Sequence, residues 1–122
     1  MVDDHAELLE AMVTLLAYSG YTVHTARDNK TFLTEFEKFK PGIVLIDVKL
    51  GAEDGRQICK YFRKDHEDVA LILMSVSASN LENFVAYGAD AAIEKPFEPE
   101  NLKTTIEAAV KSRKEKFNTK DI

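Results

Sequence analysis

Polar side chains suited to phosphoryl chemistry follow each apolar run of this 122-residue sequence. Asp3 and Asp4 come after Met1-Val2, Asp47 after Ile43 to Ile46, Ser75 after Val69 to Met74, and Lys95 after Ala91 to Glu94. If the runs are parallel strands, these ends lie on one sheet edge, where open α/β sheets form their binding crevices. Three carboxylates gathered there repel one another unless cations compensate. Lys95 supplies one positive charge. A hard divalent cation is the natural second, since magnesium typically takes one or two carboxylates and completes its shell with water and phosphate oxygens. A carboxylate held beside such an ion, a lysine and a hydroxyl suits nucleophilic attack on phosphorus and formation of an acyl phosphate. The surrounding protein then has mainly to align the groups and neutralise charge on the transferred oxygens.

The elements that must position these groups alternate along the chain. Leu8, Leu9, Met12, Val13, Leu15 and Leu16 recur at helical spacing, and Ser19-Gly20 ends that pattern. The stretch from Tyr21 to Ala26, YTVHTA, is β-branched and roughly alternating, which predicts a short strand. Asp28 or Asn29 can cap the next helix, whose Phe32, Leu33, Phe36 and Phe39 share a face. After Pro41-Gly42 the run IVLI, three of its four residues β-branched, predicts a strand buried on both faces. A loop, DVKLGAEDG, leads to a helix marked by Ile58, Tyr61 and Phe62. VALILM (Val69 to Met74) is a second fully apolar strand. A helix around Leu81 to Tyr87, a short strand AAIE and a helix from about Pro99 to Lys116 complete the alternation. It predicts an α/β fold, a parallel sheet with helices on both faces.

Composition narrows the possibilities. The length and the 45% hydrophobic content suit a single domain with one core, expected over residues 1–117 with a tail at 118–122. No apolar run approaches the ~18 residues that span a bilayer, and nothing resembles a signal peptide, so a soluble, cytoplasmic protein without membrane partners is predicted. A lone cysteine, Cys59, allows no internal disulfide and reads as an ordinary helix residue. Sixteen basic against 21 acidic residues give a net charge of −5, which argues against direct nucleic-acid binding. The last twelve residues nevertheless hold five basic and two acidic groups, suiting a solvated helix end. His5, His24 and His66 fall on different elements and form no metal-binding cluster with one another.

The acidic pair DD, the runs IVLIDVKLGAEDG and LILMS, and the motifs GAD and EKPF, in this order, resemble the receiver domains of two-component response regulators from Asp3 to about Lys116. The resemblance implies a flavodoxin-like, doubly wound, five-stranded parallel sheet in the order 2-1-3-4-5. It implies that Asp47 is the phosphoacceptor, that Asp4 binds Mg2+ directly and Asp3 through water, and that the carbonyl of Lys49 is a further ligand. Ser75 would be the switch hydroxyl, with Ser77 and Ser79 as nearby alternatives, and Lys95 the phosphate partner before a cis proline. The implied partners are a histidine kinase or phosphotransfer protein and an unidentified downstream protein, with the chain a monomer or weak homodimer. By the same resemblance it is a signalling switch more than a turnover enzyme, catalysing only its own phosphotransfer and slow dephosphorylation. Lys49 and Ser77, two residues beyond Asp47 and Ser75, would flank the path of attacking water.

Four departures qualify the resemblance. Only Met1 and Val2 precede the acidic pair where the family has about five apolar residues, so the first strand is expected to be truncated and its neighbour at Tyr21 to lose hydrogen bonds. A segment upstream of Met1, or a strand supplied by another molecule, is expected to fill that place. Ala92 stands where an aromatic residue is usual, which implies a different signalling readout. Gly51 replaces a common proline and should loosen its loop. The segment from Ser75 to Gly88 is about two residues short, which predicts a short or irregular fourth helix. Two rival functions follow: a phosphorylation-independent scaffold, favoured by Ala92 and the short start, and a phosphohydrolase of the haloacid dehalogenase type. The second requires an acid two residues after the nucleophile, where this chain has Lys49.

Overall fold

The computed structural model describes residues 1–120. Its ordered elements are α1 (Ala6–Tyr18), α2 (Asn29–Phe39), β1 (Ile43–Asp47), β2 (Lys49–Leu50), β3 (Glu53–Asp54), α3 (Gly55–Asp65), β4 (Ala70–Ser75), β5 (Ala91–Glu94) and α4 (Pro99–Lys120). Two 3-10 turns, Ala78–Leu81 and Phe84–Tyr87, lie between β4 and β5. Of the tail expected at 118–122, residues 118–120 continue α4, and 121–122 lie outside the described residues. Among the described residues, no helix is long and apolar enough to cross a membrane.

The apolar runs form the sheet as their composition predicts. β1, β4 and β5 pair in parallel in that order, with Asp47 beside Met74 and Ser75 beside Glu94. Their two faces are covered separately. On one side Val44, Ile46, Leu71 and Leu73 pack with Phe32 and Phe36 of α2 and Ile58, Cys59 and Phe62 of α3. The rings of Phe36 and Phe62 meet edge-on at 4.8 Å, a favourable aromatic geometry. On the other side Leu45, Ile72 and Met74 pack with Met12 and Leu16 of α1 and Leu102, Ile106 and Ala109 of α4. Cys59 is wholly buried and its thiol is pushed up to about 12 by desolvation, which makes it an inert core residue.

Beyond β1 the sheet thins to single bridges. Val2 pairs in parallel with Ile46 on one side and Ala26 on the other, so the chain order 2-1-3-4-5 is traced but not built out. The strand predicted at Tyr21 to Ala26 is accordingly absent except at Ala26. Its composition suits a strand, but a ladder needs a neighbour, and Met1 to Asp3 pair with it only near Ala26 and His24. The terminal ammonium of Met1 donates to the His24 carbonyl at 2.8 Å, and burial lowers its pKa from 8.0 to about 6.

Two other expectations are corrected, and one open choice is resolved. The loop after Asp47 contains a small antiparallel hairpin, β2 with β3, turning through Gly51 at φ +57°. A glycine suits that left-handed backbone. The helix predicted around Leu81 to Tyr87 is two 3-10 turns, separated at Asn83 by a left-handed φ of 58° that no α-helix contains. Capping of α2 falls to Asp28, whose carboxylate accepts from the Thr31 N–H at 2.7 Å.

At the end of the sheet where β4 begins, the carboxylate of Asp90 is fully buried among cations. It accepts from the Leu71 N–H and Arg63 Nη2 on one oxygen and from Arg113 on the other, with Lys116 at 3.9 Å. Arg63 also donates to the carbonyls of Gly88, His66 and Val69. One acid thus ties α3 to α4 across the sheet edge.

Candidate functional site

The opposite edge gathers the residues singled out from the sequence. Asp47 ends β1 and is 7% exposed; Asp3, following the Val2 bridge, and Ser75, ending β4, are 0% and 2% exposed. Backbone bonds fix the ends to one another. The Asp47 N–H donates to the Val2 carbonyl at 2.9 Å, the Val48 N–H to Met74 at 2.8 Å and the Lys95 N–H to Ser75 at 2.8 Å. Asp47, Ser75 and Lys95 therefore arrive at one level because their strands are in register.

Lys95 is the electrostatic hub. Its ammonium donates to Asp3 Oδ2 at 2.5 Å and to Asp47 Oδ2 at 3.1 Å, from a side chain 11% exposed. Desolvation nonetheless raises the Asp47 pKa above the ordinary carboxylate range. The bond and charge of Lys95 pull it back, and the negative charge of Asp3 adds to the rise. Asp47 Oδ1, by contrast, has a single long 3.4 Å contact, from the Lys49 N–H, among the described residues. Asp47 lines a cavity of about 340 Å³ together with Asp4, Lys49, Ser75, Asn80 and Lys95 among others.

Asp4 is held by its surroundings as well. Its Oδ2 accepts from the Gly51 N–H at 2.9 Å, and its carbonyl accepts from Arg27 at 3.1 Å, so the hairpin and the start of α1 are locked together. Asp3 Oδ1 accepts from the His5 N–H at 2.9 Å. Neither acid is the N-cap of α1; that position is His5, whose side chain makes no capping bond. Ligand atoms of Asp3, Asp4 and His5 lie within 4.8 Å of one another. His5 lay outside the residues selected from the sequence, although its place directly after the acidic pair was a signal. Among the serines, Ser75 Oγ accepts from the Ser77 N–H at 3.1 Å and borders the cavity, whereas the hydroxyls of Ser77 and Ser79 bond to each other at 2.9 Å.

Gly55 explains how close the α3 start comes. A Cβ there would lie 2.0 Å from the Asp47 carbonyl oxygen, and its N–H donates to the Val48 carbonyl at 2.7 Å. The peptide bond between Lys95 and Pro96 is cis, as the resemblance implied. Ala92 of β5 and Phe84 and Tyr87 of the second 3-10 turn, all partly buried, pack against the same core cluster.

A parallel sheet flanked by two helices on each face, with acids, a hydroxyl and a lysine at its carboxyl edge, places the chain among α/β domains with a polar site at the sheet's carboxyl end. The chain matches the family model described as response regulator receiver domain over residues 1–107, and it belongs to that family. It is 32% identical over 113 residues to the probable transcriptional regulator ycf27 of Guillardia theta, covering 91% of this chain and 44% of that protein. Identity to the alkaline phosphatase synthesis transcriptional regulatory protein PhoP of Bacillus subtilis is 31% over 117 residues, 91% of this chain and 47% of that one. The chain thus spans about half the length of these curated relatives. A solved receiver domain protein (CheY-like) from Methanospirillum hungatei superposes with a TM-score of 0.83 at 26% identity, covering 94% of each chain.

Proposed function

We propose that this receiver domain accepts a phosphoryl group on Asp47 from a phosphohistidine of a partner kinase or phosphotransfer protein, in bacterial-type two-component signalling in the cytoplasm. The observation that carries this reading is the division of labour at Asp47, which lines the cavity: Oδ2 is anchored by Lys95 at 3.1 Å, while Oδ1 has a 3.4 Å contact from the Lys49 N–H. In the reaction Oδ1 attacks phosphorus, the O–P bond forms as the N–P bond to the donor histidine breaks, and the electron pair returns to the imidazole, which takes up a proton. Lys95 and the Ser75 hydroxyl then hold phosphoryl oxygens. Lys49 and Ser77 border the route by which water later attacks, and they tune the lifetime of the acyl phosphate. The receiver module is proposed to occupy residues 1–117, as a monomer or weak homodimer.

The residues present fit a magnesium ion. Carboxylate oxygens of Asp3 and Asp4 lie within 4.8 Å of each other with His5 beside them, and Asp4, Asp47 and Lys49 line one cavity, a set of hard oxygen donors suited to that ion. Asp4 and Asp47, the carbonyl of Lys49 and, through water, Asp3 would hold it. When bound, the ion neutralises charge on the transferred phosphoryl oxygens. The chain remains a switch and not a turnover enzyme: its output is a change in the loops after Asp47 and Ser75 that alters a protein-docking face.

Intact mass after incubation with acetyl phosphate tests the reading. A magnesium-dependent gain of one phosphoryl group, about 80 Da, in the wild type and not in Asp47→Asn is the expected result. A folded wild-type chain that gains nothing would overturn it. A second reading, a phosphorylation-independent scaffold, draws on Ala92 and the replacement of the fourth helix by 3-10 turns. Partner binding that survives Asp47→Asn unchanged, whatever the phosphorylation state, would favour it.

A further inference from the structure

His5 follows the acidic pair directly, and its ring is uncommitted. The rings of His24 and His66 stack on Phe39 at 3.6 Å and on Phe62 at 4.1 Å, whereas the His5 ring has no hydrogen bond or ring contact among the described residues. Its place in the helix does not account for it. His5 stands at the N-cap of α1 with extended backbone, φ −88° and ψ 98°, where a short polar side chain that caps the first turn is usual, and its ring makes no such bond. What the ring does share is the site, since His5 lines the cavity of about 340 Å³ together with Asp4, Asp47 and Lys49. A ring nitrogen lies within 4.8 Å of a carboxylate oxygen of Asp3 and of one of Asp4. Two ligand atoms on opposite sides of one ion, each at about 2.1 Å, are about 4.2 Å apart, so this spread is close to the span of a single coordination shell.

We propose that His5 is an additional metal ligand, through a ring nitrogen, and that it turns this site toward a borderline first-row ion such as Fe2+, Co2+ or Ni2+. The proposal rests on the reading that Asp4, Asp47 and the Lys49 carbonyl hold a divalent cation. Oxygen donors alone suit magnesium, which keeps several waters; imidazole suits the borderline first-row ions instead. The neighbouring acids leave room for that nitrogen. Both oxygens of Asp3 are engaged, Oδ2 by Lys95 and Oδ1 by the His5 N–H, which keeps this acid from direct ligation. Asp4 is engaged at Oδ2 by the Gly51 N–H, and its Oδ1 has no hydrogen-bond partner among the described residues. An oxygen of Asp4 and a nitrogen of His5 are thus the donors that adjoining residues offer to one ion. His5 is exposed, so its ring can turn toward Asp4 without disturbing the core, and it takes a position that water fills on magnesium.

The probe is Co2+, added to the intact, untagged chain in buffer above the ordinary histidine pKa of about 6.5. Proton NMR of the Co2+-loaded wild type is expected to show a paramagnetically shifted, solvent-exchangeable imidazole N–H, absent from His5→Gln and removed by a high excess of Mg2+. Calorimetric titration is expected to show Co2+ binding weakened about tenfold or more in His5→Gln, with the Mg2+ affinity within about twofold of the wild type. Co2+ that binds without the shifted proton would overturn the proposal and leave the magnesium reading standing. A signal that survives in His5→Gln or in excess Mg2+ would overturn it in the same way, by placing the nitrogen elsewhere. Equal loss of Co2+ and Mg2+ affinity would also overturn it, since a residue that only shapes the loop does not discriminate between the ions. A folded chain that binds neither ion would overturn the proposal together with the reading on which it rests.

Discussion

The two ends of this sheet are built to opposite standards. At the carboxyl edge every strand contributes a polar group, each is tied to its neighbour by a backbone bond, and burial raises the pKa of Asp47. At the amino edge the sheet is closed on one side by the Asp90 cluster and left open on the other, where the first strand is reduced to a pair of bridges at Val2. The difference teaches that the carboxyl edge is set by backbone register. The bond from Asp47 N–H to the Val2 carbonyl fixes the level of Val2 against β1, and Asp3, the next residue, meets Lys95 there.

The largest expected effect breaks the carboxyl edge. Lys95→Met removes the cation shared by Asp3 and Asp47, and the yield of phosphorylated protein from acetyl phosphate should fall at least ~100-fold, a loss typical of deleting one charge-stabilising group. Intact mass at fixed time measures it. Next in size, Asp90→Ala should cost about 3–5 kcal/mol by leaving Arg63 and Arg113 without their buried partner. A urea titration measures the loss, and a result under about 1 kcal/mol would show that the amino edge does not depend on this cluster.

A smaller effect belongs to the open side. In a chain whose Met1 amine is free, burial holds the folded-state pKa at about 6, below the amine's ordinary 8.0. Below pH 6 the folded state must carry a buried ammonium, so it is disfavoured; between pH 6 and 8 the unfolded chain binds more protons, and stability rises. The gain should total roughly 2–3 kcal/mol and vanish in an N-acetylated chain, which isolates it from the histidines. Smallest of all, Asp47→Asn should raise stability by on the order of 1 kcal/mol while abolishing phosphorylation, as expected where a desolvated carboxylate is kept for function. The sign follows from the raised pKa: the folded state prefers Asp47 protonated, so its charge at neutral pH opposes folding, and removing the charge relieves that cost.

Residues that could be found in the sequence are those whose position is set by a continuous apolar run. Asp47, Ser75 and Lys95 each follow one, and the strands carry them to the same level without help from anything distant. What could not be read depends on partners remote in sequence or on a backbone angle. The stretch from Tyr21 to Thr25 has a strand's composition and no ladder, because pairing is a property of two segments. Leu81, Phe84 and Tyr87 recur every third residue, a spacing shared by 3-10 and α conformations, and only the left-handed Asn83 decides between them. The hairpin around Gly51 is too short to show alternation, and the glycine there reads equally as slack or as a tight turn. Asp3 and Asp4 were legible as acids after an apolar pair, but the unequal roles that the geometry gives them were not: one is bound to Lys95, the other to Gly51.

The Asp90 cluster also sets a mechanical boundary. It clamps β4 at Leu71 and holds a helix on either face, so it acts as a fulcrum for the strand that carries Ser75. From Leu71 to Ser75 the lever arm is about 13 Å at the usual rise of ~3.3 Å per residue, and a tilt of about 4° moves the serine end by roughly 1 Å. Displacement of that size is comparable to the difference between a hydrogen bond made and a hydrogen bond lost, and it leaves the clamped end in place.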